Sequence, residues 1–190
     1  MTSPLDHPDI APQVRSWPEP SGPTPSQTVG PFFSIGLAWM CAEDLVPADH
    51  PGAIGLTGRV LDGAGAPVPD AVVEIWQADA DGALESRPGW LGFGRSMTDA
   101  GGVYRFTTVR PGAVAGGAAP HIAVNLFARG LLQRLATRIY LPGEPANESD
   151  AVLQSVDPIR RSTLIARDEG TQLAHDFRLQ GDRETVFFVW

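Results

Sequence analysis

Few side chains in this 190-residue sequence can do chemistry, and their spacing limits what that chemistry is. Histidines are few, and His7, His50 and His175 have no partner at metal-ligand spacing. Cys41 is the only cysteine, which supports neither a disulfide framework nor a cysteine metal cluster. Tyr104 and Tyr140 sit in VYRF and RIYL and read as strand residues with one hydroxyl each to satisfy. His121 reads first as a histidine hydrogen-bonded within the core. Asp79, Asp81 and Glu85 are carboxylates of a type that binds non-haem iron, yet they crowd one acidic turn, for which solvent exposure is the simpler account. Arg129 offers a planar, permanently charged fork suited to a carboxylate, from a small molecule or from a neighbouring chain. Gly30-Pro31 is either a plain turn or a place where backbone approaches a ligand closely.

The elements that must position these residues are short. Gly 21 and Pro 18 are too many for a helical bundle and too dispersed for low complexity, which favours strands joined by turns. Eight of those prolines fall within residues 1–31, where hydrophobic periodicity is absent, so residues 1–34 read as an extended N-terminal arm whose first 20 or so residues are flexible. From Gly55 the texture changes to GLTGRVL, the turn DGAGAP and DAVVEIWQ, with Val72, Glu74 and Trp76 on one strand face and Val73, Ile75 and Gln77 on the other. Further strands are expected at VYRFTTV from Val103, HIAVNLFA from His121, LLQRLATRIYL from Leu131, HDFRLQ from His175 and ETVFFVW from Glu184. The link Gly181-Asp182 suits an antiparallel hairpin between the last two. Ser149 or Asp150 is expected to cap a short helix that runs through Val156 and stops before Pro158. The expected architecture is all-β: one antiparallel β-sandwich domain over residues 35–190, with short helical insertions and the arm in front of it.

A formal charge of -8 leaves no diffuse basic field for phosphate backbones or anionic lipid, so nucleic acid and membrane surfaces are not expected partners. No apolar run reaches membrane-span length, and the first residues lack the build of a signal peptide, so the expected location is cytoplasmic.

The segment Leu56 to Leu84, LTGRVLDGAGAPVPDAVVEIWQADADGAL, begins like many sandwich modules that only bind or space other domains. Its continuation VEIWQADADG changes that reading, together with TPSQTVGPFF at Thr24, GRSMTDAGGVYRF at Gly94, RPG with APHI, and LFARG. These separated motifs, in this order, resemble the intradiol ring-cleaving dioxygenases from about Thr24 to Trp190, most closely the smaller, iron-free type of subunit in that family. The resemblance implies O2-dependent opening of a catechol ring between its hydroxylated carbons, on a ferric ion held by two tyrosines and a His-x-His pair. Hard phenolates suit a hard trivalent cation, and the strand period of two puts both imidazoles on one face.

Set against that pattern, Leu84 stands where the family has the tyrosine of Gly-x-Tyr. Ala123 replaces the second histidine, and Gly112 to Pro120 contains no tyrosine, so of four ligands only His121 remains. The resemblance therefore implies that this chain binds no metal and has no catalytic residue of its own. The Fe3+ would belong to a homologous iron-binding beta-type subunit in an alpha–beta hetero-oligomer acting in aromatic catabolism. By the same resemblance Thr28, Gly30, Pro31 and Arg129 help wall the partner's pocket for a protocatechuate-type substrate, which opens to 3-carboxy-cis,cis-muconate. The alternatives are a non-enzymatic β-sandwich binding module that has kept only the fold, and a homo-oligomeric enzyme using carboxylate ligands.

Overall fold

A computed structural model describes residues 23–30 and 32–189. The expectations for the first 20 residues and for Pro31 lie outside that range. β1 (Ala53–Leu61), the longest strand, alternates buried Ile54, Leu56 and Val60 with more exposed residues, as a strand with one face on a core must. It pairs antiparallel with β4 (Val103–Val109) along its length, from Ala53 opposite Val109 to Arg59 opposite Val103. On its other side it runs parallel to β8 (Gln172–Ala174), which is antiparallel to β7 (Arg167–Asp168), and its end runs parallel to β9 (Phe177–Arg178). The facing sheet is wholly antiparallel, in the order β3 (Phe93–Met97), β2 (Val72–Gln77), β5 (His121–Phe127), β6 (Leu135–Tyr140). Val73, Ile75, Ile122, Val124 and Leu126 from this sheet meet Leu56, Val60, Tyr104 and Phe106 from the other in one core. The architecture is the all-β sandwich expected, with short helical insertions.

Residues 42–45 strap one side of the sandwich shut. Ala42 bridges to Arg95 of β3, while Glu43 O accepts from Thr107 N and Leu45 N donates to Thr107 O of β4. Inside, Tyr104 donates its hydroxyl to the His175 carbonyl at 2.7 Å. Strand β1 passes so close to that carbonyl that a Cβ on Gly58 would stand 1.6 Å from it, so only glycine fits there. A second core of Ala119, Tyr140, Leu153, Val156, Leu164 and Val186 lies under β6 and α2 (Ala151–Ser155). Asp150 is the cap of that helix, accepting from Leu153 N, and Val156 ends it.

Strand β3 lies outside the expectations, and two expectations about elements are corrected. It emerges from FGRSM, whose buried positions are Gly94 and Ser96, so no apolar alternation marks it. Strand β6 starts only at Leu135, four residues after the apolar run does. The final hairpin does not form as a ladder. Thr185 N donates to Arg178 O at 2.9 Å, but Arg178 N donates to the Thr185 hydroxyl at 3.0 Å instead of a carbonyl, and Phe188 reaches only a single bridge with Ala136. Thr137 Oγ1 takes up Val186 O at 2.7 Å, so side-chain hydroxyls replace the missing ladder bonds. Among the described residues no helix is long and apolar enough to cross a membrane.

Candidate functional site

Thr28 and the turn after β5 meet although 102 positions separate them. The Thr28 hydroxyl oxygen accepts from Gly130 N at 2.8 Å and, more weakly, from Gly30 N at 3.4 Å. Gly30 takes φ +59, a left-handed conformation, and nothing lies within 4 Å of where its Cβ would stand. The arm is thus stitched onto Arg129-Gly130 at an open spot. Phe33, on α1 (Phe32–Leu37), extends the contact by packing on Phe127 at a centroid distance of 4.9 Å. A small cavity of about 100 Å³ opens between Val29 and Ala128, Leu131 and Leu132. Three of the four residues expected to wall a pocket therefore occupy one neighbourhood; Pro31 lies outside the described residues.

Arg129 has a partner that the sequence did not announce. Its Nε donates to Asp70 Oδ1 at 3.2 Å and its Nη2 pairs with Asp70 Oδ2. Asp70 closes the turn before β2 and is the one non-glycine residue with positive φ, at 57°, among the described residues. Aspartate tolerates that conformation better than most residues do. The pair leaves Nη1 of Arg129 uncommitted, and the arginine side chain stays 55% exposed.

The segments that carry the family's ligand positions also come together. Gly112 N donates to Asp79 O at 2.7 Å, which ties the loop before β5 to the turn ending in Leu84. Leu84 is 39% exposed, and Ala123 lies across from Trp76 and Arg138 on the outer face of its sheet. His121 sits on that face, with Nδ1 2.7 Å from Ala119 O. That contact fixes Nδ1 as the protonated nitrogen and leaves Nε2 as the lone-pair atom, the arrangement seen in ligating histidines. Burial holds its pKa below the ordinary histidine value, against the Ala119 contact and helped by Arg138. One imidazole beside a methyl group, an isobutyl group and a loop without tyrosine is no donor set for ferric iron. The residues present do not fit the metal.

Neither tyrosine supplies the missing phenolate. Tyr104 is fully buried, and desolvation drives its hydroxyl well above its usual pKa. Tyr140 donates to Asp150 Oδ1 at 2.9 Å, and burial pushes it up to about 12 despite the Arg138 contact. Asp150 also accepts from Ala119 N at 2.9 Å and Leu153 N at 2.8 Å. Burial acts to raise its pKa, but these hydrogen bonds prevail and hold it below the usual carboxylate range. In the acidic turn Asp81 and Glu85 are exposed, as expected, but Asp79 is committed too. Asp79 is 5% exposed rather than solvated, accepts from Asp81 N and Ala83 N and pairs with Arg87. The backbone bond from Ala83 leads in lowering its pKa. Among the described residues no group of three or more histidines, cysteines and carboxylates converges.

The family model described as "Dioxygenase" matches residues 30–181. The chain is 43% identical over 192 residues to the protocatechuate 3,4-dioxygenase alpha chain of Pseudomonas putida, covering 87% of this chain and 95% of that one. It is 38% identical over 170 residues to the protocatechuate 3,4-dioxygenase beta chain of Burkholderia cepacia, covering 72% of each. Among solved structures, the dioxygenase domain of a carbohydrate-binding fusion protein from Streptomyces sp. SirexAA-E superimposes with a TM-score of 0.60. That domain is 31% identical, over 76% of this chain and 88% of that one.

Proposed function

The chain belongs to the intradiol dioxygenase family, and from that premise we propose that it is the alpha subunit of a protocatechuate 3,4-dioxygenase, shaping an active site whose iron a homologous beta subunit holds. The assembled enzyme is an oxidoreductase that adds both atoms of O2 to protocatechuate and opens the ring to 3-carboxy-cis,cis-muconate. The observation that carries this reading is the donor set: His121 keeps a ligand-like tautomer, while Leu84, Ala123 and the loop 112–120 offer nothing to bind iron. The likeness to both alpha and beta chains supports an alpha–beta hetero-oligomer.

This chain's part is binding and enclosure. Arg129 presents the uncommitted Nη1 end of its guanidinium to the substrate carboxylate, a charge-assisted contact worth about 1.5–3 kcal/mol, or roughly tenfold to a hundredfold in affinity. Thr28 holds the arm against that turn, and Gly30 brings backbone to the pocket wall at an open spot; Pro31 is assigned to the same wall by the family resemblance alone. In this reading residues 1–34 are the arm, residues 35–190 the sandwich, and the assembly works in the cytoplasm. A permanent interface of this kind buries more than about 2,000 Å².

Co-expression with a homologue carrying both tyrosines and His-x-His tests the proposal. Iron, a red-brown ferric phenolate band and ring cleavage are expected only in the co-purified complex. If the isolated chain bound ferric iron and cleaved protocatechuate, the assignment of metal to the partner would be wrong.

A further inference from the structure

We propose that the chain has a second ligand site, for a small tetrahedral oxyanion of the phosphate class, in the pocket between the 3-10 turn at Arg161–Leu164, strands β7 to β9 and the turn at Arg183. The pocket has a volume of about 200 Å³ and is lined by Arg167, Arg178, Arg183, Asp176, Thr163 and Thr185 among others. It lies on the other sheet of the sandwich from Arg129, so it is independent of the family's substrate position.

Charge is the first argument. The chain carries a net charge of -8, yet three arginines line this one pocket against a single carboxylate, Asp176. Among the described residues Arg178 and Arg183 form no ion pair, and Arg167 reaches only Asp176, at 3.4 Å with both partners largely exposed. Asp176 is also occupied, because its Oδ1 accepts from Arg59 N at 2.9 Å. Clustered guanidinium groups repel one another unless an anion joins them, and their planar forks match oxyanion geometry.

Construction is the second argument. Arg178 is held on both sides of its backbone, by Thr185 N and by the Thr185 hydroxyl. Thr163 is fixed by donating to Arg160 O at 2.8 Å and accepting from Val186 N at 3.3 Å. His175 lines the pocket, is 3% exposed, and its Nε2 has no hydrogen-bond partner; on a neutral imidazole this lone pair accepts from the P–OH of a protonated phosphate. Buried polar atoms without partners are rare in proteins and mark places where something else belongs. Ile165 is the single apolar side chain in the lining, which disfavours an aromatic acid and favours a compact hydrated anion.

The test is calorimetric titration of inorganic phosphate into the full chain in its purified assembly, with ionic strength held constant by sodium chloride. Saturable binding at one site per chain is expected. The Arg178→Gln, Arg183→Gln double variant should bind at least tenfold more weakly, Arg183→Gln alone severalfold more weakly, and the exposed control Arg105→Gln like the parent. Circular dichroism establishes that each variant is folded, and Arg183→Gln, at an exposed turn, keeps the test open if the double variant is not. Absence of saturable binding, equal affinity in Arg183→Gln and the parent, or binding of benzoate as tight as phosphate would overturn the proposal.

Discussion

Asp70 controls how Arg129 can be used. An arginine at a turn is ordinarily a wandering charge, but here Nε and Nη2 are both anchored on one carboxylate whose backbone is itself held in the left-handed region. The guanidinium plane is thereby set before any ligand arrives, and less rotamer freedom remains to be lost on binding. Asn at position 70 accepts the same backbone conformation while removing the charge. In the assembled enzyme Asp70→Asn is expected to raise KM for protocatechuate several-fold, with kcat changed little. That corresponds to about 1 kcal/mol, as befits a partly exposed pair. Arg129→Ala should raise KM further, by roughly tenfold to a hundredfold. Steady-state kinetics on the two variants decide it: an unchanged KM in both would remove Arg129 from the pocket and leave it a purely structural partner of Asp70.

At the scale of elements, α2 is held by one residue that does three jobs. Asp150 caps the helix through Leu153 N, anchors the loop before β5 through Ala119 N and accepts the Tyr140 hydroxyl from β6. Asp150→Ala removes the cap and orphans two buried donors, so a loss of about 2–4 kcal/mol is expected, read from the shift of the urea midpoint at unchanged m-value. Asp150→Asn, which keeps a cap, should lose less. The cap of α2 was legible as Ser149 or Asp150, because a capping residue before a short apolar run and a proline beyond it are local signals; the structure selects Asp150. Strands β1, β2, β4 and β5 were legible for the same reason, since buried residues recur along each. What was not legible is contact between distant segments. Nothing local in Thr28 indicates Gly130, and nothing in the turn before β2 says that Asp70 faces Arg129. The apolar ending from Val186 onward suggested a strand, because apolar runs bury equally well in a ladder or in a side cluster. Val186 chose the second core. At the family's ligand positions the residue types were readable directly, as absences. The retained orientation of His121 was not, because it depends on where the Ala119 carbonyl points.

At the scale of the whole molecule, two features bear on how the chain survives. Its exposed apolar side chains include Ile35, Trp39 and Met40 after the arm, and Trp76 and Leu84 near the family's ligand positions, which suits a chain that is covered by a partner. Inside, His175 is buried, and its pKa is lowered to about 4, chiefly by desolvation, with Asp176 opposing and Arg167 assisting. The unfolded chain takes up a proton at this imidazole once the pH drops below about 6.5, whereas the folded chain refuses it until about pH 4. Protons therefore favour the unfolded state across that window. The stability that His175 contributes is complete above pH 6.5 and is lost progressively as the pH falls to 4, by about 3 kcal/mol in all. Asp150, with its pKa held below the usual carboxylate range, titrates beneath this window. Urea unfolding at pH 7 and pH 5 should show the parent losing about 2 kcal/mol more than His175→Gln does over the same step. The comparison of slopes stands even if the substitution lowers stability at both pH values, because only the difference between the pH values carries the proton. Equal slopes in parent and variant would mean that His175 takes up its proton in the folded chain as readily as in the unfolded one.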